Sequence, residues 1–245
     1  MSNHLSLRSG NPVLSKSTFT GTSSHSETMT INGTVNKTAI SLFLLVGTGY
    51  MTFTNINPGL LAVCGIGGFV VALITVFKKQ WAPITVPLYA ILEGGLLGGI
   101  SYMYNHLYDG IVTNAIFLTV GILLSLLVAY RSGWIKASEN FKLGIFAATG
   151  GIALVYLIHF IMGFFGSGMG IMQIDNASPL SIGFSIVVLI IAALNLVLDF
   201  DFIEEGAEKG APKYMEWYGA FGLLVTLIWL YLEILRLLAK LNSRK

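Results

Sequence analysis

Seven stretches of this chain are apolar over close to the length that a bilayer demands. A membrane-spanning helix needs about 20 mostly apolar residues, because backbone groups in hydrocarbon find no water and must satisfy one another. The stretches cover about residues 38–53, 59–77, 83–104, 111–130, 143–165, 180–203 and 218–239. The first is short and extends toward Ile56. Between them lie residues that end helices: Asn57-Pro58-Gly59, Lys78-Lys79-Gln80, Asp109-Gly110, Arg131-Ser132-Gly133, Gly166-Ser167-Gly168 and the run from Gly206 to Pro212. Alternating strand patterns are absent, which argues against a β-barrel, so the sequence predicts an all-α integral membrane protein.

Composition agrees. Hydrophobic residues make up 54% of the chain and charged residues 11%, against about 25% charged in soluble domains. A net charge of +2 with no basic stripe gives no footprint for nucleic acid. The lone cysteine, Cys64, excludes an internal disulfide or a cysteine metal cluster and reads as a small packing residue. Residues 1–37 are rich in Ser, Thr and Asn and read as a polar cytoplasmic tail, with 31–37 leading into the first helix and 38–241 forming the transmembrane domain. No signal peptide is visible.

Loop charge sets an expected orientation. With seven crossings, the N-terminal side holds Arg8, Lys16, Lys37, Lys78, Lys79, Arg131, Lys136, Lys142, Lys209 and Lys213, whereas the three connections opposite hold no Lys or Arg. The N-terminus is therefore expected in the cytoplasm. The basic end, with Arg236, Lys240, Arg244 and Lys245, is discordant and admits a central or re-entrant last helix. Gly94, Gly95, Gly98 and Gly99 form two overlapping small-xxx-small pairs that let backbones approach.

Three acids interrupt the apolar stretches: Glu93, Asp199 and Glu233. A charge at the bilayer centre costs at least about 2.5–3.5 kcal/mol, so each must face a protein or watery interior, find a partner or stay protonated. Glu93 reads either as an interhelical hydrogen bond that fixes packing or as a proton or cation contact. Asn195 precedes Asp199 by four and shares its helical face, whereas Asp201 points elsewhere, toward the rim. Glu233 either pairs within its helix with Arg236, three residues on, or meets an acid of another helix. Asp199 and Glu233 are 34 residues apart with their midpoint at 216, while the turn signal Gly210-Ala211-Pro212 falls earlier. At 1.5 Å per residue an ideal hairpin leaves them about 12 Å out of step, which tilt or a late-starting helix would absorb. If they meet, the two carboxyls titrate as one unit and offer oxygen ligands to calcium. His159 reads as a hydrogen-bonded neutral histidine or as a titrating group near pH 6–7. No catalytic signature or cofactor motif is present, so no enzyme and no cofactor are expected.

Several segments together resemble the Bax inhibitor-1/YccA family, the transmembrane Bax inhibitor motif family. They are Pro87-Leu88-Tyr89-Ala90-Ile91-Leu92-Glu93-Gly94 continuing into Gly98-Gly99-Ile100-Ser101, then Leu198-Asp199-Phe200-Asp201, and Trp229 through Leu238 with Glu233 and Arg236. The early Arg8-Ser9-Gly10-Asn11-Pro12-Val13-Leu14 resembles the bacterial branch with a longer tail. The resemblance implies a seven-helix bundle with the last helix in the middle, in the bacterial inner membrane. It implies a pH-sensitive calcium leak, with Asp199 and Glu233 as proton sensor and Lys78 or Lys79 as the latch at the end of the second helix. Two departures stand out. Glu replaces Asp at 233, and a lysine latch lacks the two-pronged grip of arginine. Other bacterial members resemble modulators of a membrane AAA protease, a role that rests on the tail rather than on an ion path.

Overall fold

The computed structural model describes residues 28–166 and 168–244. Seven helices account for nearly all of them: α1 (Ile31–Thr54), α2 (Pro58–Phe77), α3 (Ala82–Leu107), α4 (Ile111–Arg131), α5 (Glu139–Phe164), α6 (Pro179–Glu208) and α7 (Met215–Asn242). The protein is an all-α membrane protein.

The helix ends follow local chemistry. Asn57 caps α2, its side chain accepting from the N–H groups of Gly59 and Leu60, with Pro58 at the first helical position. Ser138 caps α5 through the N–H of Phe141. Gly110 and Gly210, at φ 74° and 64°, make turns that a side chain would strain. Two boundaries differ from the sequence reading. Helix α6 runs five residues past 203, because Glu204, Glu205 and Glu208 favour helix and Glu205 pairs with Lys209 one turn on. Helix α1 begins at Ile31, capped by Thr30, so residues 31–37 belong to the helix rather than to a polar tail. Residues 1–27 of that expected tail lie outside the described residues.

Helices α2 to α7 are long and apolar enough to cross a membrane. The first does not meet that measure, although a span was expected at 38–53. Its 24 residues include Asn32, Thr34, Asn36, Lys37, Thr38, Ser41, Thr48 and Thr52. The threonine hydroxyls turn back on their own backbone: Thr34 donates to the Thr30 carbonyl at 3.0 Å, Thr38 to Thr34 at 2.9 Å and Thr48 to Leu44 at 2.9 Å. Buried positions on α1 are Thr34, Ser41 and Thr52, so its inner face is polar but mostly self-satisfied.

The chain divides into two compact units, with α6 and α7 each running from one into the other. One unit contains α1, α2, α3, residues 201–214 and α7 as far as Val225. Here α3 presents two glycine faces. A side chain at Gly94 or Gly98 would collide with Leu45, Thr48, Gly49 and Thr52 of α1, while one at Gly95 or Gly99 would meet Cys64 and Leu61 of α2. Thr75 and Thr85 join α2 to α3 at 2.8 Å, and Tyr89 packs edge-on against Phe221 with centroids 5.0 Å apart. The other unit contains α4, α5, α6 to Phe200 and α7 from Thr226. In α7 61% of the most apolar window is buried, against 11% in α4 and in α5. A helix carrying Glu216, Glu233, Arg236 and Lys240 can cross a bilayer only with its sides covered in this way.

Gly98→Ala places a methyl against the Gly49 carbonyl, and the expected cost of such overpacking is about 1–3 kcal/mol. Gly150→Ala meets nothing within 4 Å and is expected to be neutral, or to gain up to about 1 kcal/mol in helix propensity. Thermal melts of the two variants in detergent check the contrast.

Candidate functional site: charged stations along the last helix

The first station is Glu216, in the first turn of α7 and fully buried. Its carboxylate accepts from the Thr30 N–H and hydroxyl, each at 2.9 Å, and pairs with Lys37 at 2.5 Å and Lys213 at 3.2 Å. Gly33 makes room, since a side chain there would overlap the carboxylate. The Lys37 ammonium also lies 5.7 Å from the centre of the Trp217 ring. Beside this cluster Met29 donates to the Ala211 carbonyl at 2.7 Å, and Thr28 bridges to Pro212. One buried acid thus ties the start of α1 to the start of α7.

The second station is Glu233, 1% exposed. Both its oxygens face Arg236 Nη1, at 2.7 and 2.9 Å, and the Tyr156 hydroxyl of α5 donates to it. Arg236 also donates to that hydroxyl at 2.9 Å, and its guanidinium lies 5.4 Å from the centre of the Tyr156 ring. Glu233 thus pairs with Arg236 within its own helix, and the Tyr156 hydroxyl joins the pair from α5. Arg236 turns inward to close this triangle instead of reaching outward.

Asp199 is buried in the same unit at 0% exposure, and Asn195, one turn before it, at 2%. Asn195 donates to Thr149 of α5 at 2.9 Å and to the Ile191 carbonyl at 2.8 Å. Two residues beyond Asp199, Asp201 is half-exposed, consistent with its different face, though it lies seven residues inside the end of α6 rather than at its rim. The third station is Lys240, also at 0% exposure, held by the carbonyls of Ile171 and Ser181 and by the Ser185 hydroxyl.

Glu93 stands apart from these stations. It is half-exposed in the α1–α3 unit, and its carboxylate lies 3.1 Å from where a side chain on Gly68 of α2 would begin. Lys78 is exposed at the end of α2, while the Lys79 ammonium lies 5.5 Å from the centre of the Tyr218 ring. Of the two latch candidates, only Lys79 is thereby placed on α7. His159 is half-exposed, and its Nδ1 accepts the Met169 N–H at 3.1 Å, a bond that fixes the turn after α5 and requires that nitrogen to be unprotonated. Among the described residues no group of three or more His, Cys, Asp and Glu side chains is arranged to hold a metal.

The sequence profile of the Bax inhibitor 1 like family matches residues 11–243. The chain belongs to this family. No curated protein matches it. In this Bax inhibitor 1 like protein Gly94, Gly95, Gly98 and Gly99 of α3, Asp199 of α6 and Glu233 of α7 are all buried. Sequence reasoning missed Glu216, Tyr156 and Thr149. Glu216 had a local signal, an acid in a helix first turn three residues after Lys213, but Lys37 lies 179 residues away and nothing local marks it.

Removing groups from the Glu216 cluster is expected to destabilise in the order Glu216→Ala, Lys37→Met, Lys213→Met. Losing a hydrogen bond to a buried charge costs about 1.5–3 kcal/mol, whereas Lys213, with a side chain 43% exposed, contributes less than about 1 kcal/mol. Midpoints of thermal unfolding in detergent check the order.

Proposed function

We propose that the protein is a cation leak of the bacterial inner membrane, with its N-terminus in the cytoplasm, carrying calcium in a pH-dependent way through the unit that contains Asp199 and Glu233. The observation that carries this reading is the buried Glu233–Arg236–Tyr156 triangle in the span of α7. A charge pair for stability alone is a poor use of a membrane interior, because desolvation offsets most of its attraction, and intramembrane ionisable groups mark ion and proton paths.

The charges give the sign of the pH response. Among the described residues, the ionisable groups at these buried stations of the unit include Tyr156 on α5, Asp199 on α6, and Glu233, Arg236 and Lys240 on α7. Ionised, two acids balance two bases. Protonating either acid leaves a net positive interior in a medium of low dielectric, which repels a divalent cation. Acid therefore closes the leak, and raising the pH restores the balance and lets calcium pass.

In liposomes holding a calcium dye, the purified protein is expected to leak at least about fivefold faster at pH 8 than at pH 6, the smallest ratio usual for a coupling of about 1 kcal/mol. Glu233→Gln should flatten that dependence and Asp199→Asn should reduce it, while Asp201→Asn leaves it intact. Flux equal to that of protein-free liposomes at both pH values would overturn the reading. Labelling of a cysteine placed at Ser243, in a background with Cys64→Ala, is expected from the periplasmic side if all seven helices cross.

A further inference from the structure

Lys240 presents a buried cation whose hydrogen-bond partners are all neutral. Its ammonium has three N–H groups, and three oxygens meet it: the Ile171 carbonyl at 2.8 Å, the Ser181 carbonyl at 3.3 Å and the Ser185 hydroxyl at 2.9 Å. Residue 240 is 0% exposed and the two serines 1% each. The two carbonyl oxygens belong to backbone that is held independently of the lysine. Ile171 sits in the 3-10 turn Gly170–Met172, and the Ser181 hydroxyl donates to its carbonyl at 3.0 Å. Ser181 and Ser185 lie one turn apart at the start of α6, and the Ser178 side chain accepts the Ser181 N–H at 3.3 Å. Two backbone carbonyls and a hydroxyl converging in a dry place are what replaces the hydration shell of a monovalent cation in selectivity filters. The distances exceed the 2.3–2.6 Å that calcium takes, and no carboxylate is among the ligands, so the cage does not suit a hard divalent ion.

We propose that the oxygens of Ile171, Ser181 and Ser185 form a site for a small monovalent cation, of the potassium or ammonium class, which the chain fills with its own Lys240 ammonium. The side chain acts as a tethered stopper, fixing the last turns of α7 to the turn before α6. A cage built for a cation stays incomplete without one, so an external cation of the right size should replace the missing ammonium. The site is independent of calcium leak: it binds its cation whether or not the protein conducts, so failure of one reading leaves the other standing.

The test uses the full chain in detergent, with choline chloride as the background salt because choline is too large for the cage. Lys240→Ala is expected to lower the melting temperature. Potassium, ammonium or n-propylammonium chloride at tens of millimolar is then expected to recover at least half of that loss, while the wild-type protein does not respond. Adding Ser185→Ala to Lys240→Ala should abolish the recovery, which ties it to this cage. Lys240→Met keeps most of the apolar stem but lacks the charge. It should also melt lower and respond to potassium or ammonium, and it serves in place of Lys240→Ala if that variant does not fold. A Lys240→Met protein as stable as wild type, or variants that respond to no small cation beyond the wild-type response, would overturn the proposal.

Discussion

A helix that takes charges through a bilayer has to match each of them with protein, because lipid offers nothing. In α7 the requirement is met with a different device at each station. Glu216 is matched by two lysines and the capped start of α1. Glu233 is matched three residues along its own helix and by a phenol. Lys240 is matched by neutral oxygens alone. The remaining architecture serves these matches. Apolar α4 and α5 carry few buried residues, while α7 is buried over most of its apolar length.

Glycine supplies the complementary device in the α1–α3 unit. There α1 is too polar to rely on apolar contact, and close backbone approach replaces it: Gly94 and Gly98 receive α1, and Gly95 and Gly99 receive α2. Membrane helices gain little from hydrophobic association, since the lipid chains are as apolar as leucine, so dispersion contact at small residues decides which helices pack. The same unit spends one glycine on electrostatics, for Gly33 leaves the space that the Glu216 carboxylate fills.

What could be read from the sequence divides along the range of the interaction. Helix number and most helix ends were legible, because capping side chains, Pro58 and the turn glycines act over a few residues. The two glycine faces were legible as a pattern, though not which neighbour each receives. The Glu233–Arg236 pair was legible as one of two alternatives for the same reason, being a contact within one turn. The partners Tyr156, Lys37 and the Ile171 carbonyl were not, because each lies 69 or more residues away and leaves no periodic trace. The start of α1 was misread because its polar residues look like a tail. Thr30, the signal that marks a helix start, only gains weight once Glu216 is seen to bind it. Lys240 was grouped with a basic terminus, since nothing local separates a buried ammonium from a solvated one.

The glutamate at 233, where the family resemblance leads to an aspartate, finds its reason in Arg236. Neighbours three apart on a helix stand about 5–6 Å apart at their β-carbons, and the extra methylene of glutamate lets both oxygens come within 2.9 Å of one guanidinium nitrogen while the same carboxylate meets Tyr156 on α5. An aspartate would be a bond shorter and could not hold both partners without drawing the helices together. The longer acid and the arginine are thus one feature: the arginine neutralises the acid within the helix, and the length of the acid keeps that neutral pair in reach of a second helix. Such a pair is held in place by a tyrosine hydroxyl that donates to the acid and accepts from the arginine, so both members of the pair are tied to α5.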